Sequence, residues 1–167
     1  KNNHQIYVIA PLIEESESLD LTTVEDLKNK MESAFGMNYN IGVVHGKLSN
    51  KDKEKIMKEF INNKIQILIS TTVIEVGVNI PNTTMIVIFD ANRFGISTLH
   101  QLRGRVGRGS LESKCILISD SDTERLKVMT KTNDGFVISE EDFKLRGHGD
   151  LFGTKQSGGM SFKIANV

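Results

Sequence analysis

With 167 residues, and 21 Lys and Arg balanced by 21 Asp and Glu, the chain has room for one domain with a sizeable core and at most a short appendage, and no net charge draws a polyanion to it as a whole. Its single cysteine, Cys115, excludes an internal disulfide, and no apolar run approaches the roughly 20 residues that a helical membrane span requires. Cys115 lies in the apolar run 115–118 and reads as a buried thiol in a reducing compartment, so a cytoplasmic protein is expected. The chain opens on Lys1 and enters an apolar run almost at once, which reads as a piece of something longer.

Gln5–Ala10 is a β-rich apolar run stopped by Pro11 and predicts a buried strand. Residues 14–20, acidic and serine-rich, read as a solvated loop. From Thr22 or Thr23 as N-cap, Val24, Leu27, Met31, Ala34 and Phe35 recur at helical spacing, with Gly36 placed to end the helix. Ile41–Val44 is a second strand. Ser49-x-x-Asp52 has the form of a capping box, opening a helix whose apolar face is Ile56, Met57 and Phe60. Ile65–Ser70, Met85–Phe89 and Lys114–Ser119 are further strands, and Ser97 to about Arg103 suits a helix that enters a glycine-broken loop. Short all-apolar strands alternating with amphipathic helices predict an α/β fold with a parallel sheet covered on both faces. After Asp120 the pattern changes to a helix from about Asp122 to Thr132 with Leu126 and Met129 inward. A second short helix is expected to open at Ser139-x-x-Asp142, before the glycine-rich run 146–153. The expected division is therefore 1–120 and 121–167.

Chemistry is concentrated in residues 99–109. Arg103, Arg105 and Arg108 alternate there with Gly104, Gly107 and Gly109, Arg93 adds a fourth guanidinium nearby, and no acidic residue falls between Asp90 and Glu112. Arg suits bidentate phosphate contacts and Gly lets backbone approach closely. A solvated basic loop is the plain alternative, but such faces are Lys-rich with Glu interleaved, as residues 51–59 are; the pattern reads as a phosphate site. The third strand runs into the hydroxyl-rich stretch 70–81, at the edge where open parallel sheets bind ligands, although a β-branched strand ending in a loop reads the same way. Gly42-x-x-x-Gly46-Lys47 fails as a phosphate loop, having three residues between the glycines where four are needed and Leu48 in place of Ser or Thr. His45 has no nucleophile or carboxylate motif beside it and reads as structural, and His100 as a packing or capping residue. His4 and His148 have no metal-ligand spacing with Cys115, so no metal site is expected.

The spacing Gln101-x-x-Gly-Arg-x-Gly-Arg108 resembles motif VI of the superfamily-two helicases, whose arginines reach across a cleft to the γ-phosphate of ATP held by another domain. The stretch from Thr71 to Pro81 resembles motif V, with Asn79 where that family usually has Asp; Gln5–Pro11 resembles motif IV, and Val44–Leu48 the adjoining motif IVa. The resemblance implies catalytic roles for Gln101, Arg105 and Arg108, and nucleotide contacts at Gly77, Asn79 and Gly104 as well as at Arg105 and Arg108. It also implies contacts from Thr71, Thr72, His45 and Gly46 to a nucleic-acid backbone. Residues 133–147, Gly149 and 151–158 resemble the translocation motif that follows motif VI in the bacterial RecG branch-migration helicases, which would make Arg146, Lys155 and Gln156 coupling residues; Lys155 stands where the family often has Arg.

The resemblance implies a RecA-like motor lobe with a helical-hairpin extension, part of an ATP-dependent DNA helicase that remodels stalled forks and Holliday junctions. ATP and Mg²⁺ would be held mainly by an N-terminal motor lobe absent from this chain, none being bound tightly by this piece alone. Its partners would be branched or double-stranded DNA and the N-terminal motor lobe and wedge domain of the same parent chain, with no membrane. The transcription-repair coupling factors carry a similar hairpin and are an alternative, although residues 9–16 and 154–158 are closer to RecG. A stand-alone α/β module holding a phosphorylated ligand is the alternative of another class.

Overall fold

A computed structural model describes residues 4–10, 17–71, 82–107 and 112–150, the side chains of 17–23 and 146–150 excepted, and in it the apolar runs become five parallel strands. They are β1 (Gln5–Ile9), β2 (Ile41–Val44), β3 (Ile67–Ser70), β4 (Thr83–Ile88) and β5 (Lys114–Leu117), in the order β2-β3-β1-β4-β5. The helices are α1 (Glu17–Phe35), α2 (Asn50–Ile61), α3 (Ile96–Arg103), α4 (Glu124–Lys131) and α5 (Gly135–Asp150). Register places Val44, Ser70, Ile9, Ile88 and Leu117 side by side, so one edge of the sheet collects all the strand carboxyl ends.

Strand alternation divides the core in two. Val8, Ala10, Ile67 and Ile69 point to one face and pack against Val24, Leu27 and Met31 of α1. Ile9, Ile86 and Ile88 point to the other, under Leu99 and Leu102 of α3, Leu126 and Met129 of α4 and Ile138 of α5. Val44 and Leu68 meet Met57 and Phe60 of α2 on that second face, and Tyr7 packs against both of its clusters. Each fully buried aliphatic or aromatic side chain contributes about 1.5–3 kcal/mol. Helices α4 and α5 are therefore part of the core that covers the second face, and no strand follows β5 among the described residues.

Several boundaries and one burial differ from the expectation: β3 begins at Ile67 and not at Ile65, and β4 spans Thr83–Ile88 and not Met85–Phe89. Helix α1 begins at Glu17, not at Thr22 or Thr23, so residues 17–20 of the expected loop are its first turn. Helix α5 begins at Gly135, not at Ser139, because Asp134 Oδ1 already accepts the Phe136 N–H at 2.8 Å. Ser139, now inside the helix, donates back to the Gly135 carbonyl at 2.8 Å, and the helix continues through Gly147 and Gly149. Strand β5 stops at Leu117, where the Ser119 hydroxyl begins a turn by accepting the Ser121 N–H. Cys115 is half-buried and not fully buried as expected, with its thiol pKa pushed up by desolvation. Ser49 caps α2 as expected: its Oγ accepts the Asp52 N–H and donates to Asp52 Oδ2 at 2.6 Å.

Candidate functional site

Since every strand ends on the same edge, residues that follow the strands gather there without further instruction. Beyond β2 lies His45, whose Nδ1 is buried and has no hydrogen-bond partner in the structure, and then Gly46, whose carbonyl accepts from Lys53 Nζ at 3.1 Å. The space beside the Gly46 Cα is open. β3 ends on Ser70 and is followed by Thr71, both buried, with the Ser70 carbonyl accepting the Ala10 N–H at 2.8 Å. Beyond β4, Asp90 takes a left-handed backbone at φ 46°, which Asp tolerates better than most residues.

Helix α3 buries Ile96, Leu99 and Leu102, which leaves Gln101 exposed on its outer side. The chain then tightens: the Gly104, Arg105 and Val106 amides bond back to His100, Leu102 and Arg103 carbonyls, and the Val106 side chain is buried. Gly107 turns the chain at φ +79°, a left-handed conformation that favours glycine, and a Cβ there would make the Ser113 hydroxyl rotate away.

Arg105, half-buried, lies within electrostatic reach of Tyr7, whose side chain is hydrogen-bonded to that of Ser70. Burial pushes the Tyr7 hydroxyl up to about 12, with the Ser70 bond and the Arg105 charge acting in the opposite direction. Tyr7 is thus a neutral polar group linking the exit of β3 to the segment after α3. It was missed in the sequence reading, where the visible signal was one phenol in an otherwise aliphatic strand, a group that needs a partner when buried.

Arg103 does not join the phosphate site for which the arginine cluster was read. Its Nη1 donates to the Met129 carbonyl at 2.9 Å and to the Thr132 carbonyl at 2.7 Å, and its Nη2 is 3.0 Å from His100 Nδ1. His100 therefore packs against Arg103, in keeping with its structural reading. His4 pairs with the Thr84 hydroxyl at 3.0 Å. Among the described residues no three His, Cys, Asp or Glu side chains are grouped to hold a metal ion. The structure thus places His45 and Gly46, after β2, beside Thr71, after β3, with Arg105 within electrostatic reach of the Tyr7–Ser70 pair. Thr72, Gly77, Asn79, Arg108, Lys155 and Gln156 lie outside the described residues, and Arg146 is described only as backbone within α5.

Comparison with known proteins agrees with this architecture. The family model described as helicase conserved C-terminal domain matches residues 1–110, and that described as ATP-dependent DNA helicase RecG, domain 3, C-terminal, matches residues 132–167. The chain is 54% identical over 171 residues to the ATP-dependent DNA helicase RecG of Bacillus subtilis, matching 100% of this chain and 25% of that protein. It is 52% identical to RecG of Staphylococcus epidermidis, with the same two shares. A solved structure of RecG bound to a three-way DNA junction superposes with a TM-score of 0.68 at 39% identity, covering 89% of this chain and 19% of that one. The chain spans about a quarter of the length of the curated relatives it matches. It belongs to the helicase conserved C-terminal domain family, and along its whole length it is similar to the RecG members.

Proposed function

We propose that this chain is the C-terminal motor lobe of an ATP-dependent DNA helicase that remodels branched DNA, working in the cytoplasm together with an N-terminal motor lobe and a wedge domain of the same parent chain. The observation that carries the reading is the approach of Arg105 to the Tyr7–Ser70 pair, one residue before Thr71, at the carboxyl edge of the sheet. The residues on that edge suit one side of a nucleotide cleft. Arg105 is half-exposed, Gly104 and Gly107 keep the backbone after α3 close and bare, and Gln101 projects from the last turns of the helix. They do not suit a complete nucleotide site, because the sequence has no phosphate loop.

Magnesium-bound ATP, held mainly by the other lobe, supplies the phosphoryl bond that is hydrolysed. Arg105 and Arg108 stabilise the charge that develops on the γ-phosphoryl oxygens when the lobes close, while Gln101, Gly104, Gly77 and Asn79 shape the remaining nucleotide contacts. Thr71, Thr72, His45 and Gly46 hold the DNA backbone, a grip without base contacts that lets a motor move along any sequence. Arg146, Lys155 and Gln156 pass lobe closure to the DNA. Residues 1–120 form the lobe and 121–167 its hairpin and tail, a division supported by the separate family matches on either side of it. The match over 132–167 favours RecG-type remodelling over a coupling-factor translocase that pushes RNA polymerase.

The full-length parent tests the reading through DNA-stimulated ATP hydrolysis and unwinding of a three-way junction. Turnover without junction unwinding, together with displacement of a stalled polymerase, would favour the translocase. Tight stoichiometric nucleotide binding by residues 1–167 alone would favour the stand-alone module.

A further inference from the structure

The Arg103 guanidinium sits where three separate pieces of chain meet. Helix α4 ends at Lys131, and the carbonyls at a helix C-terminus lack intrahelical partners. Arg103 Nη1 takes two of the carbonyls in this region, Met129 at 2.9 Å and Thr132 at 2.7 Å, and its positive charge complements the negative end of the helix. Its Nη2 faces His100 Nδ1 at 3.0 Å, so the neighbouring turn of α3 orients the fork. The other side of that imidazole abuts the start of α5: a Cβ at Gly135 would lie 3.2 Å from His100 Nε2. At the opposite end of α3, Ser97 Oγ donates to Asp142 Oδ2 on α5 at 2.7 Å. Between the two polar ties, Leu99 and Leu102 share one buried cluster with Leu126, Met129 and Ile138. A packed unit tied at both ends shifts as a body, because close-packed interiors do not deform continuously.

We infer that Arg103 is a positioning residue of the motor, locking the last turn of α3 to the end of α4 so that displacement of Arg105 carries the tail helices with it. The inference rests on the motor-lobe reading and concerns a different step: Arg105 acts on the nucleotide, whereas Arg103 transmits that action to the segment bearing Arg146. A lysine cannot replace it fully, since one ammonium on a flexible stem does not span two carbonyls and an imidazole at once.

The test uses the full-length parent and its Arg103→Gln, Arg103→Lys and Ser97→Ala variants, with melting temperature, ATP KM, DNA-stimulated kcat and junction unwinding measured on the same preparations. Arg103→Gln should keep KM within about 2-fold and kcat within about 3-fold while unwinding per ATP hydrolysed falls by about 10-fold or more. Arg103→Lys should recover part of that loss, and Ser97→Ala should lose about 2-fold. If Arg103→Gln does not fold, the ratio of unwinding to hydrolysis in Arg103→Lys decides. Unwinding per ATP unchanged in the folded variants would reduce Arg103 to a structural staple and overturn the inference, and so would a loss of kcat of about 100-fold with the ratio intact, which marks a phosphate contact. If the unsubstituted parent neither hydrolyses ATP nor unwinds a junction, it is the motor reading that fails.

Discussion

Arg103 and Arg105 stand two residues apart in one basic stretch but belong to different regions of the molecule. At the carboxyl edge of the sheet, Arg105 is half-buried beside a neutral phenol that helps to fix the edge and does not neutralise the arginine. At the α3–α4–α5 contact, Arg103 spends its donors on two carbonyls and an imidazole. A cluster of arginines therefore says where phosphate chemistry is possible, and the surroundings of Arg103 show that a guanidinium within it can be committed to the fold instead. The same contrast runs through the two Ser-x-x-Asp segments. Ser49-x-x-Asp52 caps α2 because no earlier residue does so, whereas Ser139-x-x-Asp142 is overrun by a helix that Asp134 has already started, and Asp142 is engaged by Ser97.

The contrast between the two arginines can be broken most sharply in the full-length parent. Arg105→Ala, or Arg108→Ala beside it in sequence, should leave nucleotide affinity within a few-fold and lower DNA-stimulated kcat by roughly 100-fold or more, since an arginine finger acts on transition-state charge. Normal turnover in both variants would remove the phosphate role from the whole stretch. Residues 1–167 alone should hydrolyse no ATP with or without DNA, and measurable turnover by that piece would contradict a half-site.

Tail coupling is tested next. Arg146→Ala or Gln156→Ala should keep most ATP hydrolysis and lose most junction unwinding, about 10-fold per ATP. A parallel fall of melting temperature, hydrolysis and unwinding would instead make the tail a structural cap.

Tyr7 offers a sharper test of the edge. Its folded-state pKa, raised to about 12, lies above the ordinary 10.0, so the neutral phenol contributes stability that is fully present below about pH 10 and is lost as pH rises toward 12. Denaturant titrations of the chain should show an alkaline destabilisation across that window that is smaller by roughly 2–3 kcal/mol in Tyr7→Phe, the Cys115 thiol contributing in both proteins. Equal alkaline loss in both proteins would place the titrating group elsewhere.

The smallest effects separate the two serine segments. Ser49→Ala and Asp134→Ala should each cost about 1 kcal/mol as lost helix caps, and Ser139→Ala within about 0.5 kcal/mol of nothing. A larger loss at Ser139 than at Ser49 would reverse the comparison.

Strands, sheet type and most helix faces were legible in the sequence because they follow from local periodicity: Ile41–Val44 and Ile86–Ile88 are aliphatic enough to be buried on either face, and Met57 with Phe60 can meet only on one side of α2. The motif VI and motif V spacings were legible for the same reason, since each lies within a short contiguous stretch. The start of α1, the start of α5 and the fate of Arg103 were not. Arg103 bonds to carbonyls 26 and 29 residues away, Ser97 to a carboxylate 45 residues away, and Tyr7 to a serine on a strand paired in register with its own. No pattern along the chain encodes those pairings, because a polar group accepts whichever partner the packed core brings within hydrogen-bond distance, and only the tertiary structure chooses it.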